Sequence, residues 1–586
     1  MYQKNFLGSG TIVSIILSFD TAVTALVAAR VSPSRQPGNS AACRYLPYDD
    51  EWPNEEEWSA LNKTIGGHLI RAIPLAQSCY VPNFNPSECE AMRNQWVQVN
   101  QYLEDPVNVM APDWQNNSCS PPPFANTNGS GSCTLGNLAH YAINVSEADA
   151  VIAGIQFARE KNIRLTIKNT GHDYLGRSAG KGSLALWTHN LKEITFLDYG
   201  SVKYHGPAIR VGAGVEGIDL VNAASQKHLR VVHGSCPTVG VSGGWVQGGG
   251  HGPLTAAYGL GADNVLEFEV VTADGQHVTA SPLNAYKDLY WALSGGGGGT
   301  YGVVLSTTLK AHTDGPVAGG SFGFLNSDSD KFWSAMTAWL QHLLVLNRIP
   351  GLKTIGTITP TGFAMNFATW PGATVQDIMS GFKPYFETLA ELGIPLTTNT
   401  TMVHPNFLSH LEHFSSDTAY TVNVMVASRL IPRSLVQNNA SLSTLVFTIR
   451  DISNRNPAIF NIISGNVSHS ANISNSVLTA WRESLFHMNF GLSLDDNASW
   501  EELQSRRDII SDWQDQFRLV TPGGGSYANE ASVMDKTWKE DYYGSNYKKL
   551  EEIKVKYDAD SVFWANVAVG SDEWAPMLDG RLCRTQ

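Results

Sequence analysis

The sequence predicts an α+β fold in which a glycine-rich half is followed by a second α+β domain. Three observations carry that prediction. From Asn137 onward, short apolar strands alternate with amphipathic helices, beginning with a β-α-β unit. Glycine, at 53 residues above the usual share of ~7%, gathers in a few short runs between Gly171 and Gly302. After about Gly315 those runs stop, and residues 316–515 mix strands with long helices.

Taken in order, the first 29 residues carry Lys4, an apolar run from Ile12 to Phe19, and Ala22, Ala25, Ala28 and Ala29 before Arg30. This is the layout of a secretory signal cleaved after about Ala29. Asp20 interrupts the apolar stretch, which leaves an uncleaved membrane-tethering segment as the alternative, although a spanning helix needs about 20 apolar residues in succession. Residues 30–130 read as an irregular leader with short helices, for example Pro86 to Leu103. Its cysteines Cys79 with Cys89 and Cys119 with Cys133 fit small disulfide loops of a secreted chain; Cys43 and Cys583 would join the chain ends. Cys236 is then left over. Nine Asn-x-Ser/Thr sequons, at Asn62, Asn116, Asn128, Asn144, Asn399, Asn439, Asn466, Asn472 and Asn497, fit glycosylation in the same oxidising lumen.

The glycine-rich half, residues 131–315, opens with a strand at Tyr141 to Val145, a helix from Ser146 to Glu160 with Asp149 completing a capping-box signal, and a strand at Arg164 to Asn169. Strands Ser183 to Trp187 and Ala208 to Val211 and a helix from Val215 to Lys227 follow. Strands Val265 to Thr272 and His277 to Ala280 flank Ala273-Asp274-Gly275 as a hairpin, and Gly302 to Lys310 closes the half. In residues 316–515, strands are expected at Phe363 to Thr369 and Tyr420 to Arg429, with helices at Asp328 to Leu346 and Val375 to Leu392. Residues 516–586 show a strand-helix-strand pattern over Tyr527 to Val569, with a helix from Gly544 to Tyr557.

Charge and motifs narrow the chemistry. Forty Lys plus Arg against 53 Asp plus Glu leave a net −13, the wrong sign for neutralising phosphate backbones, so a nucleic-acid partner is not expected. No Cys-x-x-Cys or His-Glu-x-x-His spacing occurs, and no metal is expected. Gly212-Ala-Gly-Val-Glu-Gly217 is a literal dinucleotide fingerprint, but no Asp or Glu lies between Asp219 and Asp263 to hold a ribose hydroxyl. Thr170-Gly171-His172-Asp173 follows a strand, where successive backbone amides form a nest for a pyrophosphate. The run Gly234 to Gly252 holds eight glycines in 19 residues, interleaved with the bulky Trp245 and Val246, which marks close approach of a flat ligand rather than a linker.

Asn169-Thr-Gly-His172-Asp173, Gly234-Ser-Cys236-Pro-Thr-Val-Gly240, Tyr258-Gly-Leu-Gly-Ala-Asp263-Asn264, Trp291 to Val304 and Tyr527-Ala-Asn529 together resemble the berberine-bridge-enzyme-like group of FAD-linked oxidases, in its fungal secreted, isoamyl-alcohol-oxidase-like branch. The resemblance implies an FAD domain of the vanillyl-alcohol-oxidase type built from both ends of the chain. Between its parts lies a substrate domain whose antiparallel sheet, covered by helices, roofs the flavin. It also implies bicovalent FAD, with His172 bonded to the flavin 8α-methyl and Cys236 to flavin C6, which accounts for the unpaired cysteine. By the same resemblance Thr170, Gly171, Asp173, Gly240, Gly243 and Gly244 cradle the pyrophosphate. Asp263, Gly302 and Val303 hold the rest of the cofactor, and Tyr527 and Asn529 meet the flavin.

The function so implied is transfer of hydride from a small alcohol or amine, a secondary metabolite among the options, to FAD, with reoxidation by O2 to H2O2. A dehydrogenase of the same fold and a non-redox flavin-fold cyclase remain the alternatives, and a monomer is expected. A base must take the substrate's proton. Tyr258 and Tyr527 match family active-site tyrosines and are the candidates, against a purely packing role; no Glu of residues 316–515 aligns by motif. His251, after the triple glycine, either reaches the pocket or caps a strand.

Overall fold

The computed structural model describes residues 43–111, 114, 118–122, 133–414, 424–494 and 498–585. The expected signal segment, the sequons at Asn116, Asn128 and Asn497, and the start of the strand expected at Tyr420 lie outside the described residues. Three sheets organise the rest. In the first, Tyr141–Asn144, Leu184–Trp187 and Leu165–Lys168 run parallel, with Leu69–Arg71 added antiparallel at the edge of Tyr141–Asn144. Leu184–Trp187 is buried along its whole length, as a central parallel strand covered on both faces must be. The covering helix is Ala148–Glu160, which packs Val151, Ile155 and Ala158 inward. It starts later than the Ser146 cap implied, because the Val145 amide still donates to Trp187 O (3.0 Å) and prolongs the strand; Glu147 is the N-cap and makes no side-chain cap bond.

The second sheet is antiparallel, in the order Ile194–Gly200, His205–Gly212, Val303–Lys310, Val265–Val271, His277–Ala280. The hairpin expected at Ala273-Asp274-Gly275 is present, closed by the Gly275 amide on Thr272 O (2.9 Å).

The third sheet has seven antiparallel strands: Thr398–His404, Val317–Leu325, Gly362–Pro371, Lys353–Thr359, Ile459–Ser464, Ser484–Ser493, Val424–Pro432. Helices Ser329–Leu346, Val375–Glu391, Asn439–Arg455 and Trp500–Val520 cover one face, around Phe322, Trp339, Phe363, Phe460, Phe490 and Trp513. Helix Trp500–Val520 continues past residue 515, so the chain leaves this domain at about Thr521. Because side chains alternate along a strand, the residues between the core positions point to the uncovered face. There the register sets Ile355 opposite Ile463 opposite His487, and Thr357 opposite Asn461 opposite Asn489.

Two expectations are corrected. Of the strand-helix-strand pattern over Tyr527 to Val569 the helix forms, as Tyr547–Tyr557, but in place of the first strand stand short helical turns at Ala528–Glu530, Lys539–Tyr543 and Gly544–Asn546, and in place of the second the chain to Val569 runs through turns. They are held by side chains instead of a ladder: the buried Lys554 ammonium donates to Thr300 O (2.8 Å) and Phe563 O (2.7 Å), and the Asp558 carboxylate accepts from the Val562 and Phe563 amides. The segment Pro86 to Leu103 is two helices, Pro86–Gln95 and Asn100–Glu104. Disulfides join Cys43 to Cys583, Cys79 to Cys89 and Cys119 to Cys133, and Cys236 is a free thiol. The Asn466 amide donates to Asn347 O (3.3 Å) while its Oδ1 accepts from Arg433, so this sequon is engaged internally. No helix among the described residues is long and apolar enough to cross a membrane.

The core carries an acid liability. Burial holds the imidazoles of His233, His410 and His487 neutral, lowering them from 6.5 to about 4, about 3 and about 3. A depressed histidine is fully stabilising above its unfolded value and loses that contribution as pH falls, because the unfolded chain then binds more protons. The melting temperature is therefore expected to drop steadily from pH 6.5 towards 4, with net proton uptake on unfolding. Calorimetry in buffers of different ionisation enthalpy measures both; a flat profile over that window would contradict the burial of these rings.

Candidate active site

A cavity of about 510 Å³ lies between the glycine-rich half and the uncovered face of the seven-stranded sheet. One wall is the loop after strand Leu165–Lys168 together with residues 234–244; the other brings Ile355, Phe367, Asn461, Ile463 and Asn489 from the sheet and Asn529 and Glu530 from the C-terminal segment. The loop is tied at its base by the buried Lys168 ammonium, which donates to Tyr102 O (2.9 Å) and Asp105 O (2.6 Å). It is closed by Asp173, whose carboxylate accepts from the amides of Leu175 (3.1 Å) and Ser178 (2.6 Å). Gly171 adopts φ +84°, a left-handed turn that glycine enters without strain. At Gly240 a Cβ would sit 1.8 Å from Asn169 Oδ1, so only glycine lets the two loops meet.

His172 and Cys236 come together through Thr238, which sequence reasoning did not single out. Thr238 Oγ1 lies 2.8 Å from His172 Nε2 and 3.7 Å from Cys236 Sγ. Burial, reinforced by Lys168, lowers His172 to about 4, and burial pushes the Cys236 thiol up; both are uncharged near neutral pH.

Thr170, Gly171, His172, Asp173, Cys236, Gly240, Gly243, Gly244, Gly302 and Asn529 all line the cavity; Tyr258, Tyr527, Asp263 and Val303 do not. The Tyr258 ring stacks on His312 at 3.8 Å, and burial raises its hydroxyl. Tyr527 is 2% exposed, its Oη accepting from Asn529 Nδ2 (2.8 Å), and burial with the nearby Glu530 charge raises it far above the usual phenol range. Both candidate tyrosines thus lie outside the residues that line the cavity. The Asp263 carboxylate is consumed by Arg482 (2.7 and 2.8 Å), Asn475 (2.7 Å) and the Leu260 amide (2.8 Å), so it clamps the segment around residue 480 to the glycine-rich half. Val303 starts a core strand against Val271.

The titratable centre is Glu530, the residue directly after Asn529. His251 Nε2 donates to Glu530 Oε1 (2.8 Å), Asn489 Nδ2 donates to Oε2 (2.8 Å), and His487 Nε2 stands 3.7 Å from Oε2. Trp481 and Tyr527 pack edge-on or tilted around both imidazoles. Burial by itself raises the Glu530 carboxyl, but the hydrogen bonds from His251 and the Asn489 amide outweigh it and lower it below the usual carboxylate range. Lys353, 2% exposed, adds a cation on the same side and is itself lowered to about 8 by burial. Sequence signals existed for parts of this cluster: Glu530 abuts the Tyr527-Ala-Asn529 motif, and His487 and Asn489 share a strand face by their spacing of two.

Residues 139–281 match the family described as FAD binding domain, and residues 526–570 the family described as berberine and berberine like. Over 577 residues the chain is 40% identical to the VAO-type flavoprotein oxidase VAO615 of Thermothelomyces thermophilus, covering 96% of this chain and 98% of that protein. It is also 40% identical, over 575 residues, to the bifunctional decalin synthase calF of Penicillium decumbens, covering 94% and 96% of the two chains. The crystal structure of the VAO-type flavoprotein MtVAO615 from Myceliophthora thermophila matches with a TM-score of 0.87 at 39% identity, covering 93% of this chain and 100% of that one. The chain belongs to the VAO-type, berberine-bridge-like flavoproteins. It is an FAD-dependent oxidoreductase acting on a small molecule, with a VAO-type fold.

The cavity of this flavoprotein fits FAD on its own geometry. The backbone amides of residues 170–173 donate to no acceptor among the described residues, a run of free donors suited to an anionic diphosphate. Asn169 Oδ1 is likewise buried without a partner, and Gly244 has nothing within 4 Å of its missing Cβ, leaving room for a flat group.

Proposed function

We propose that the protein is an oxidase of apolar alcohols that holds FAD covalently at both His172 and Cys236, passes the electrons to O2 and works in the secretory pathway or outside the cell. The observation that carries this reading is one cavity lined both by the Glu530–His251 couple and by His172 and Cys236, which meet at Thr238. Bound FAD supplies the hydride acceptor. The chain supplies everything else.

A substrate hydroxyl donates to the Glu530 carboxylate, which can only accept while ionised. The Glu530 carboxylate, hydrogen-bonded to His251 (2.8 Å), is the group that takes the hydroxyl proton as the C–H bond breaks. Ile355, Phe367 and Ile463 form an apolar roof that excludes water and suits a hydrocarbon-rich skeleton better than a sugar. Three disulfides support the secretory location.

The 40% identical relative named as a decalin synthase carries a second reading, a ring closure shaped by the same apolar roof. Anaerobic mixing of the holoenzyme with a panel of apolar secondary alcohols and of oligosaccharides separates these. Loss of flavin absorbance with the apolar alcohols, and peroxide release on admitting air, is expected. Bleaching by oligosaccharides alone would overturn the substrate class, bleaching without peroxide would make the enzyme a dehydrogenase, and product without bleaching would favour the ring closure.

A further inference from the structure

The uncovered face of the seven-stranded sheet carries a row of side chains that the reaction above does not use. Asn366 Nδ2 donates to Thr357 Oγ1 (2.8 Å), Thr357 Oγ1 donates to Asn461 Oδ1 (2.7 Å), Asn461 Nδ2 donates to Asn489 Oδ1 (2.7 Å), and Asn489 Nδ2 donates to Glu530 Oε2 (2.8 Å). Every bond points the same way, from the exposed Asn366 to the carboxylate in the cavity. The row is a product of register: Thr357, Asn461 and Asn489 are directly opposite one another on three neighbouring strands, and Asn366 joins from the fourth, beside the irregularity between Ile355 and Gly356. Directly opposite residues are close enough for short side chains to touch.

The direction of the row follows from its last member. An ionised carboxylate only accepts, so Asn489 must turn its NH2 to Glu530 and its oxygen back along the row; Asn461 then faces the same constraint, and so does the Thr357 hydroxyl. Each group therefore accepts from behind and donates ahead, the arrangement in which hydrogen bonds polarise one another. Side-chain amides do not relay protons without leaving their stable tautomer, so the row is not a proton wire. The other groups facing Glu530 are His251, His487, Lys353, Tyr527 and Tyr174, and none of them donates to Oε2 within hydrogen-bond distance.

We propose that Thr357 and Asn461 are positioning residues, and that the row Asn366–Thr357–Asn461–Asn489 orients the Glu530 carboxylate towards the substrate hydroxyl from across four strands. Thr357 does not line the cavity, so its effect must travel through the row. The inference rests on Glu530 being the proton acceptor, and its test separates the two. In infrared difference spectra of the holoenzyme at neutral pH, the band lost in Glu530→Gln identifies this carboxylate. Thr357→Val, which keeps the shape and deletes the hydroxyl, is expected to shift that band and to slow flavin reduction several-fold at unchanged half-saturating alcohol, whereas Thr357→Ser restores both. Asn366→Ala, at the exposed end where folding is not at risk, shifts the band less. An unmoved band in Thr357→Val and Asn366→Ala, with native circular dichroism, would overturn the proposal. Flavin reduction at the native rate in Glu530→Gln would instead overturn the reading of Glu530 and leave the band shift to be judged alone.

Discussion

Glu530→Gln is expected to slow flavin reduction by about 10²–10⁴-fold, the usual worth of a positioned general base. The replacement keeps the volume and a hydrogen-bonding oxygen for Asn489, so packing around Trp481 and Tyr527 is undisturbed. What it removes is the anion that faces His251 at 2.8 Å and His487 at 3.7 Å. A neutral amide has no capacity to take the hydroxyl proton. Glu530 hydrogen-bonds to His251 and Asn489 and not to the Thr170–Asp173 loop, so FAD content and the visible spectrum are expected to match those of the native protein. Stopped-flow reduction measures the effect, and a rate within threefold of native, by the same scale of ~10²-fold or more for a lost base, would return the assignment to an open question.

The second large effect concerns the tethers. The double variant His172→Ala with Cys236→Ala is expected to release all of its flavin on acid precipitation, while each single variant keeps flavin in the pellet through the remaining link. Peptide mass spectrometry then locates the link on the remaining residue alone. The geometry supports this, because both side chains reach the same hydroxyl, Thr238 Oγ1, and so address one edge of a bound ring. His172, lowered to about 4, presents a neutral ring as the nucleophile. Cys236 must lose a proton whose release burial disfavours, so its link is expected to form faster as pH rises. Flavin freed from the native protein by acid would contradict both links.

Much of the fold was legible because its signals are local. The β-α-β unit from Tyr141, the hairpin at Asp274-Gly275 and the long helices of residues 316–515 each announce themselves through periodicity or a turn residue within a dozen positions. The helix start at Ala148 was misplaced because a contact from a distant strand, Trp187 O on the Val145 amide, extended the preceding strand. The turns around helix Tyr547–Tyr557 were read as strands because apolar stretches look alike whether a ladder or a buried lysine satisfies their carbonyls.

The site divides in the same way. By itself the sequence pointed to an amide nest at residues 170–173 and a close-approach run over residues 234–252, set Cys236 apart from three cysteine pairs, and carried the resemblance to FAD-linked oxidases, since glycine's steric freedom and cysteine spacing are properties of contiguous residues. Only the tertiary structure brought together the groups proposed to handle the proton. Tyr258 was drawn against His312 outside the cavity and Asp263 into an ion pair with Arg482, while His251, His487, Asn489 and Glu530 were assembled from three segments up to 279 residues apart. Sheet register adds the rest of the surroundings, setting Asn461 opposite Asn489 and Ile463 opposite His487, while the turn Ala528–Glu530 brings the carboxylate against Asn489. Register is a relation between strands, and no single stretch of chain contains it.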